Sequence, residues 1–186
     1  MSRLENFKID NEDKNFKDLS LNNLQFKNKS VIEKFFVETN LEKLKFIDSE
    51  FQQTEFISSN LAFTEFNNCL MEDVVYKNVN LNNCNFMRSR LTRNNFNNTK
   101  IENVEFNNCA LRGAKFIGTH IFKVKFINCD LQKINFQGAS FSDVEMINSN
   151  LFMADLNGLV GVKNVVVTNC NTFLIKYNND KDINIK

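Results

Sequence analysis

The sequence predicts an all-β chain that turns a corner every five residues, and three observations lead there. From Phe16 to Leu156 every fifth residue is apolar, so twenty-nine consecutive positions hold only Phe, Leu, Ile, Val, Met or Tyr. At a hydrophobic content of 42%, chance gives such a run about 10⁻¹¹ of the time, counted as a template match. The second observation is the period itself, which fits neither a helix of 3.6 residues nor a strand of 2.0. The third is that Asn, Gly or Asp fills eighteen of the twenty-nine positions two residues after the apolar one. Those residues tolerate left-handed backbone or bond back to it, so that slot belongs at a corner.

The elements follow in chain order. Residues 1–13 are out of register with the repeat and read as an N-terminal cap. Residues 14–159 carry the repeat. Its centre slot holds fourteen of the twenty Phe, and the slot two residues earlier holds small or β-branched residues such as Thr54, Cys69, Val79, Cys109 and Ala139. Alternate residues of a strand share a face, so both slots point inward. A large residue beside a small one fills a narrow core without voids. Four of the five Gly (113, 118, 138 and 158) occupy the corner slot. Residues 160–177 are apolar and β-branched, and are expected to extend or cap the last coil or to pair with a second molecule; the remaining YNNDKDINIK reads as a frayed tail.

Runs such as Cys84-Asn85-Phe86-Met87-Arg88, Cys109-Ala110-Leu111-Arg112-Gly113 and Ala154-Asp155-Leu156-Asn157-Gly158 carry a resemblance. They resemble the A(D/N)LXX consensus of the pentapeptide-repeat family, in register over roughly residues 14–160. The resemblance implies a right-handed quadrilateral parallel β-helix in which four pentapeptides make one coil. Twenty-nine repeats then give about seven coils and a rod roughly 35 Å long at ~4.8 Å per stacked strand. Phe at alternate centres implies Phe stacks on two opposite faces. The slot before the centre departs from the consensus, with Lys45, Glu55, Glu65, Glu105, Lys115 and Lys125 where Asn or Asp is usual.

Residues twenty apart then become ladder neighbours. Lys45 meets Glu65, Asp73 meets Arg93, and Glu105, Lys125 and Glu145 alternate in sign, each opposite pair stabilising by a few tenths of a kcal/mol. Cys109 and Cys129 stack, with Cys69 on the same face. They read as small buried side chains, since no second ligand type lies inward beside them to make a metal site. An odd count of five Cys and a polar N-terminus point to a reducing, cytoplasmic setting. No apolar run reaches membrane-spanning length. The Asn-, Lys- and Ile-rich, Pro-free composition suggests a low-GC bacterial genome.

Chemistry is conspicuously missing from the pattern. His120, the single His, sits in an outward slot, and no phosphate loop, HExxH, CxxC or paired-carboxylate pocket is present. The expectation is a non-enzymatic interaction scaffold without metal or cofactor. Net charge is +1 overall, yet residues 16–75 sum to −4, residues 76–125 to +7 and residues 126–156 to −3. Arg88, Arg90, Arg93 and Arg112 lie in the basic band and form the candidate patch for an acidic protein partner. Off-register apolar residues gather toward the C-terminus, and Phe122, Ile127, Ile147, Phe152, Val165 and Val167 are the candidate surface of a C-terminal homodimer.

The resemblance also implies an alternative. Some pentapeptide-repeat proteins bind DNA gyrase or topoisomerase IV as DNA mimics and give quinolone protection or inhibition. Here a basic band interrupts the acidic surface that such mimicry needs, and the unbroken register leaves no room for the protruding loops of the plasmid-borne members. Direct nucleic-acid binding through the basic band is disfavoured too, because Phe122 and Met87 are too few aromatics for a stacking platform.

Overall fold

A computed structural model describes residues 8–178 and 183–186. Residues 1–7, the larger part of the expected N-terminal cap, lie outside the described residues. Every strand is parallel to its neighbours, and no helix occurs among the described residues. The chain climbs as a four-sided β-helix in which each residue pairs with the one twenty further on, as in Phe16↔Phe36, Phe26↔Phe46 and Val31↔Phe51. We number the sides by their first centre residue: side I from Phe16, side II from Leu21, side III from Phe26 and side IV from Val31.

The centre slot is the core. Phe36, Leu41, Phe51 and Phe66 have no exposed surface, and the pattern continues to Leu156 at 2%. Side III stacks Phe26, Phe46, Phe66, Phe86, Phe106 and Phe126 with ring centroids 4.9–5.4 Å apart. Side I stacks Phe16, Phe36, Phe56, Tyr76, Phe96, Phe116 and Phe136 at 4.4–5.6 Å. The coil rise of ~4.8 Å sets this spacing, which suits offset ring stacking. Each ring removed from water contributes about 2–3 kcal/mol.

The small slot does more than fill space. On side IV it is a column of hydroxyls and thiols: Ser49, Cys69, Ser89, Cys109, Cys129, Ser149 and Cys170. Ser89 Oγ lies 2.9 Å from the Met87 carbonyl and 3.3 Å from that of Phe66, and it accepts the Cys69 N–H at 3.0 Å. Cys129 Sγ reaches the Ile127 and Phe106 carbonyls, each at 3.3 Å. These side chains satisfy corner backbone groups that the ladder leaves over.

Every corner slot from Asp18 to Gly158 has positive φ, including the eleven where the residue is not Asn, Asp or Gly. The corners divide into two kinds, and the slot before the centre follows the division at most positions. Where it holds Asn or Asp, as at Asn60, Asn95, Asp130 and Asn150, its Oδ1 accepts the N–H two residues on at 3.0–3.1 Å, closing a turn. Where it holds Lys45, Glu55, Glu65, Glu105 or Lys125, the side is a three-residue strand or part of a longer one. The correspondence is partial: Asn85 begins the strand Asn85–Met87 and its Oδ1 has no partner among the described residues, while Arg90, Ala110 and Lys115 precede turns without an Asx acceptor.

The solenoid runs on beyond residue 159. Pairing steps from Ser140↔Val160 to Ser142↔Lys163, a one-residue insertion at which Gly161 takes φ 57°. This is the fifth glycine, and it occupies a β-bulge. Thereafter partners are twenty-one apart, as in Met146↔Val167, Asn150↔Asn171 and Asp155↔Lys176. The tail does not fray throughout, because Ile183–Ile185 returns to pair with Val165–Val167. Side III consequently stacks nine strands.

Candidate functional site

A rod with a filled core can act only through its sides and ends, and side IV is where charge and apolar surface depart from plain ladders. Its corner column reads Asp73, Arg93, Gly113, Lys133, Met153 and Leu174 in successive coils, the register being fixed by Leu70↔Arg90↔Ala110↔Asp130↔Asn150↔Asn171.

The four candidate arginines fall into different situations. Arg93 grips Asp73 through two parallel bonds, Nε to Oδ1 at 2.8 Å and Nη2 to Oδ2 at 2.6 Å. Those bonds hold the Asp73 carboxyl below its ordinary range and raise the Arg93 guanidinium. Arg90 Nη1 lies 3.3 Å from Glu72 Oε1, and Arg88 Nη2 donates to Asn67 Oδ1 at 2.7 Å. Arg90 and Arg93 thus stitch the basic band to the acidic coil beneath it. Arg112 has no ion pair among the described residues, and neither do Lys115 and Lys133. Counting charge along the sequence places Lys133 in an acidic third, whereas the fold sets it on the Arg93 corner, two coils on.

The candidate dimer residues also divide. Val165 and Val167, expected on a dimer surface, instead point inward at 1% and 0% exposure and complete the core of their own coil. The reason is the inserted residue, which moves Val167 into the centre slot. Phe122, Ile127, Ile147 and Phe152 are half-buried on the outside. Lys123 Nζ lies 5.0 Å over the Phe122 ring. Phe152 stacks on Phe173 at 6.0 Å. Around that pair Phe173 is 66% exposed, Leu174 55% and Met153 39%. Phe173 and Leu174 escape a strict five-residue reading. They align with Phe152 and Met153 once Gly161 is recognised as an insertion.

The ladder pairs form as the period requires, Lys45 to Glu65 at 3.0 Å and Lys125 to Glu145 at 3.2 Å. His120 stays outside, its Nδ1 2.7 Å from Ser140 Oγ. The five cysteines are free, and burial pushes Cys84 and Cys129 up to about 12 and Cys69 and Cys109 up to about 11. Thiolate is the reactive form, so these groups are inert at neutral pH. Among the described residues no three His, Cys, Asp or Glu side chains converge as metal ligands. The main concavities are open troughs between ladders, such as the one bounded by Lys43, Lys45, Phe63, Glu65 and Asn83. No helix among the described residues is long and apolar enough to cross a membrane.

Residues 62–124 match the family model described as a pentapeptide repeat region, and residues 36–73 and 122–158 match the one described as pentapeptide repeats in eight copies. No curated protein matches the sequence. Among solved structures, a trypsin-treated variant of QnrB1, a plasmid-mediated fluoroquinolone resistance protein, aligns over 84% of this chain and 92% of its own at 17% identity, with a TM-score of 0.50. A second trypsin-treated QnrB1 variant covers 89% and 91% at 13% identity, again with a TM-score of 0.50. HetL, a protein involved in heterocyst differentiation regulation in the cyanobacterium Nostoc sp. strain PCC 7120, covers 89% and 87% at 13% identity with a TM-score of 0.32.

Proposed function

The chain belongs to the pentapeptide-repeat family, and from that premise we propose that it is a rigid, non-enzymatic scaffold that binds a protein partner. The observation that carries this reading is the surface of side IV. Arg112 and Lys133, which form no ion pair among the described residues, share that side with the exposed apolar Met153, Phe173 and Leu174, on a molecule whose described titratable groups form no catalytic set. Five free cysteines suit a reducing, cytoplasmic setting. The test is cross-linking capture by the full chain in a bacterial cytosol. A defined, saturable partner is expected, and capture of nothing above a scrambled-surface control removes the reading.

Binding to DNA gyrase or topoisomerase IV is the second reading. The acidic surface of residues 16–75 and the fold shared with a fluoroquinolone resistance protein favour it; the basic band opposes it. Gyrase supercoiling over a concentration series, with and without ciprofloxacin, decides. Neither inhibition nor protection at micromolar protein eliminates it.

A C-terminal homodimer remains part of the proposal, now carried by the outward residues. Val160, Tyr177 and Ile185 are large hydrophobics exposed in the last coil and its final strand. Light scattering is expected to give a dimer that Tyr177→Glu with Ile185→Glu converts to a monomer. A dimer unchanged by these substitutions rules out that end.

A further inference from the structure

We propose that the side IV edge from Arg112 to Leu174 is a docking strip for an extended segment of a partner protein that carries carboxylates at one end and apolar side chains at the other. The proposal rests on the scaffold reading and names the partner's chemistry.

The first argument is backbone strain. Met153 and Leu174 both sit at φ 57°, in the left-handed region where bulky side chains are outliers. Other corners at this φ hold Asn148 and Gly158, and also Phe63 at φ 60° and 49% exposure. The two residues are also exposed, at 39% and 55%, so they return nothing to the core. The neighbouring column repeats the pattern, with Phe173 66% exposed and stacked on Phe152.

The second argument is charge. One to two coils below this ledge, Arg112, Lys115 and Lys133 form no ion pair among the described residues. Asp130, the acid at that level of side IV, accepts the Gln132 N–H at 3.0 Å. Gly113 leaves the corner between Arg93 and Lys133 without a side chain, which opens the cations to a ligand. Arg is suited to anchoring carboxylates in two-point contacts.

The dimensions fit a short segment. From Arg112 to Phe173 is three coil steps, about 14 Å at ~4.8 Å each, which an extended peptide spans in about four to five residues. The segment would not join the sheet as a strand. Side IV backbone groups are already engaged up the rod, Leu111 N–H to Asp130, Leu131 to Asn150 and Leu151 to Asn171, each at 2.8 Å. Recognition therefore falls to side chains. An anionic lipid surface suits the site less well, because Asp130 and Asp155 flank the strip.

The probe is a random dodecapeptide library displayed on phage and panned against the full chain. Enriched peptides are expected to carry Asp or Glu within a few residues of Leu or Phe. Their affinity, read by fluorescence anisotropy, should fall about tenfold or more in Arg112→Glu with Lys133→Glu, and again in Phe173→Ser with Leu174→Asn. The second variant also relieves the strained corner, so it should be at least as stable as the parent. No enrichment, or enriched peptides that bind both variants as well as the parent, overturns the proposal. So does co-sedimentation with phosphatidylglycerol vesicles that both variants abolish while no peptide is selected. If the full chain captures a cytosolic partner equally with and without these substitutions, the scaffold reading stands and this strip is not its site.

Discussion

Tyr76 stands in the side I stack between Phe56 at 5.6 Å and Phe96 at 4.4 Å, and its hydroxyl is buried without a hydrogen-bond partner among the described residues. The ring suits the stack and the hydroxyl does not. Tyr76→Phe removes an unsatisfied polar group without changing the ring, so it is expected to raise stability by about 1 kcal/mol, measured as a higher denaturant midpoint at an unchanged slope. A lower midpoint would mean that the hydroxyl has a partner. The thiols make a second prediction at this scale. Burial raises Cys69, Cys84, Cys109 and Cys129 from an ordinary value of 9.0 to about 11–12. The folded state keeps those protons where the unfolded chain releases them. Their stabilisation is therefore whole below about pH 9 and is lost as pH rises through the folded values. Denaturant midpoints should fall between about pH 9 and pH 12, less steeply in Cys84→Ala. A midpoint independent of pH across that window refutes the thiol argument.

The five-residue element shows how much of the fold was legible. Centre, small slot and corner could be read because each has its own side-chain chemistry, and chance does not repeat that chemistry twenty-nine times. At most positions the two kinds of corner were written in the slot before the centre, but as an apparent loosening of the consensus, and Asn85, in a strand, breaks the rule. Reading them requires knowing that an Asn or Asp Oδ1 can accept the N–H two residues on. The insertion at Gly161 was missed because Val160, Val162, Val165, Val166 and Val167 offer an apolar residue to either register, although Asn164 and Asn169, both at positive φ, mark the shifted corners. For the same reason Val165 and Val167 passed as surface. The arginine patch was found as a cluster, but which members are free depends on partners one coil away. A test follows from the two corner kinds. Asn150→Ala removes the acceptor of the Phe152 N–H and of Asn171 Nδ2, each at 3.1 Å, and is expected to cost about 1 kcal/mol. Gln25→Ala, in the same slot of an open corner on side III, should stay within about 0.5 kcal/mol. Equal effects in thermal unfolding would show that the Asx bonds do not set corner stability.

At the scale of the whole molecule, coils touch only the coils above and below, so stability is a chain of nearest-neighbour terms and each end must be closed locally. Exposed ladder pairs such as Lys45 with Glu65 add little to any one term. The first coil is closed by Ile9, fully buried against it, and by Lys34, whose side chain enters at 6% exposure. Lys34 Nζ donates to the carbonyls of Asn11 and Asp13, the latter at 2.6 Å, and lies 5.9 Å from the Phe16 ring. A charge buried to hold two main-chain carbonyls fastens residues 8–13 across the opening. Hydrogen bonds to a charged donor contribute about 1.5–3 kcal/mol each, so losing them should loosen the first coil without reaching the distant ones. Lys34→Met keeps the apolar stem and removes the ammonium. Hydrogen–deuterium exchange is expected to quicken about tenfold or more over residues 14–40 and to stay unchanged over residues 100–156. Acceleration spread evenly along the rod would instead mean that the solenoid opens as a single unit, with no separable end.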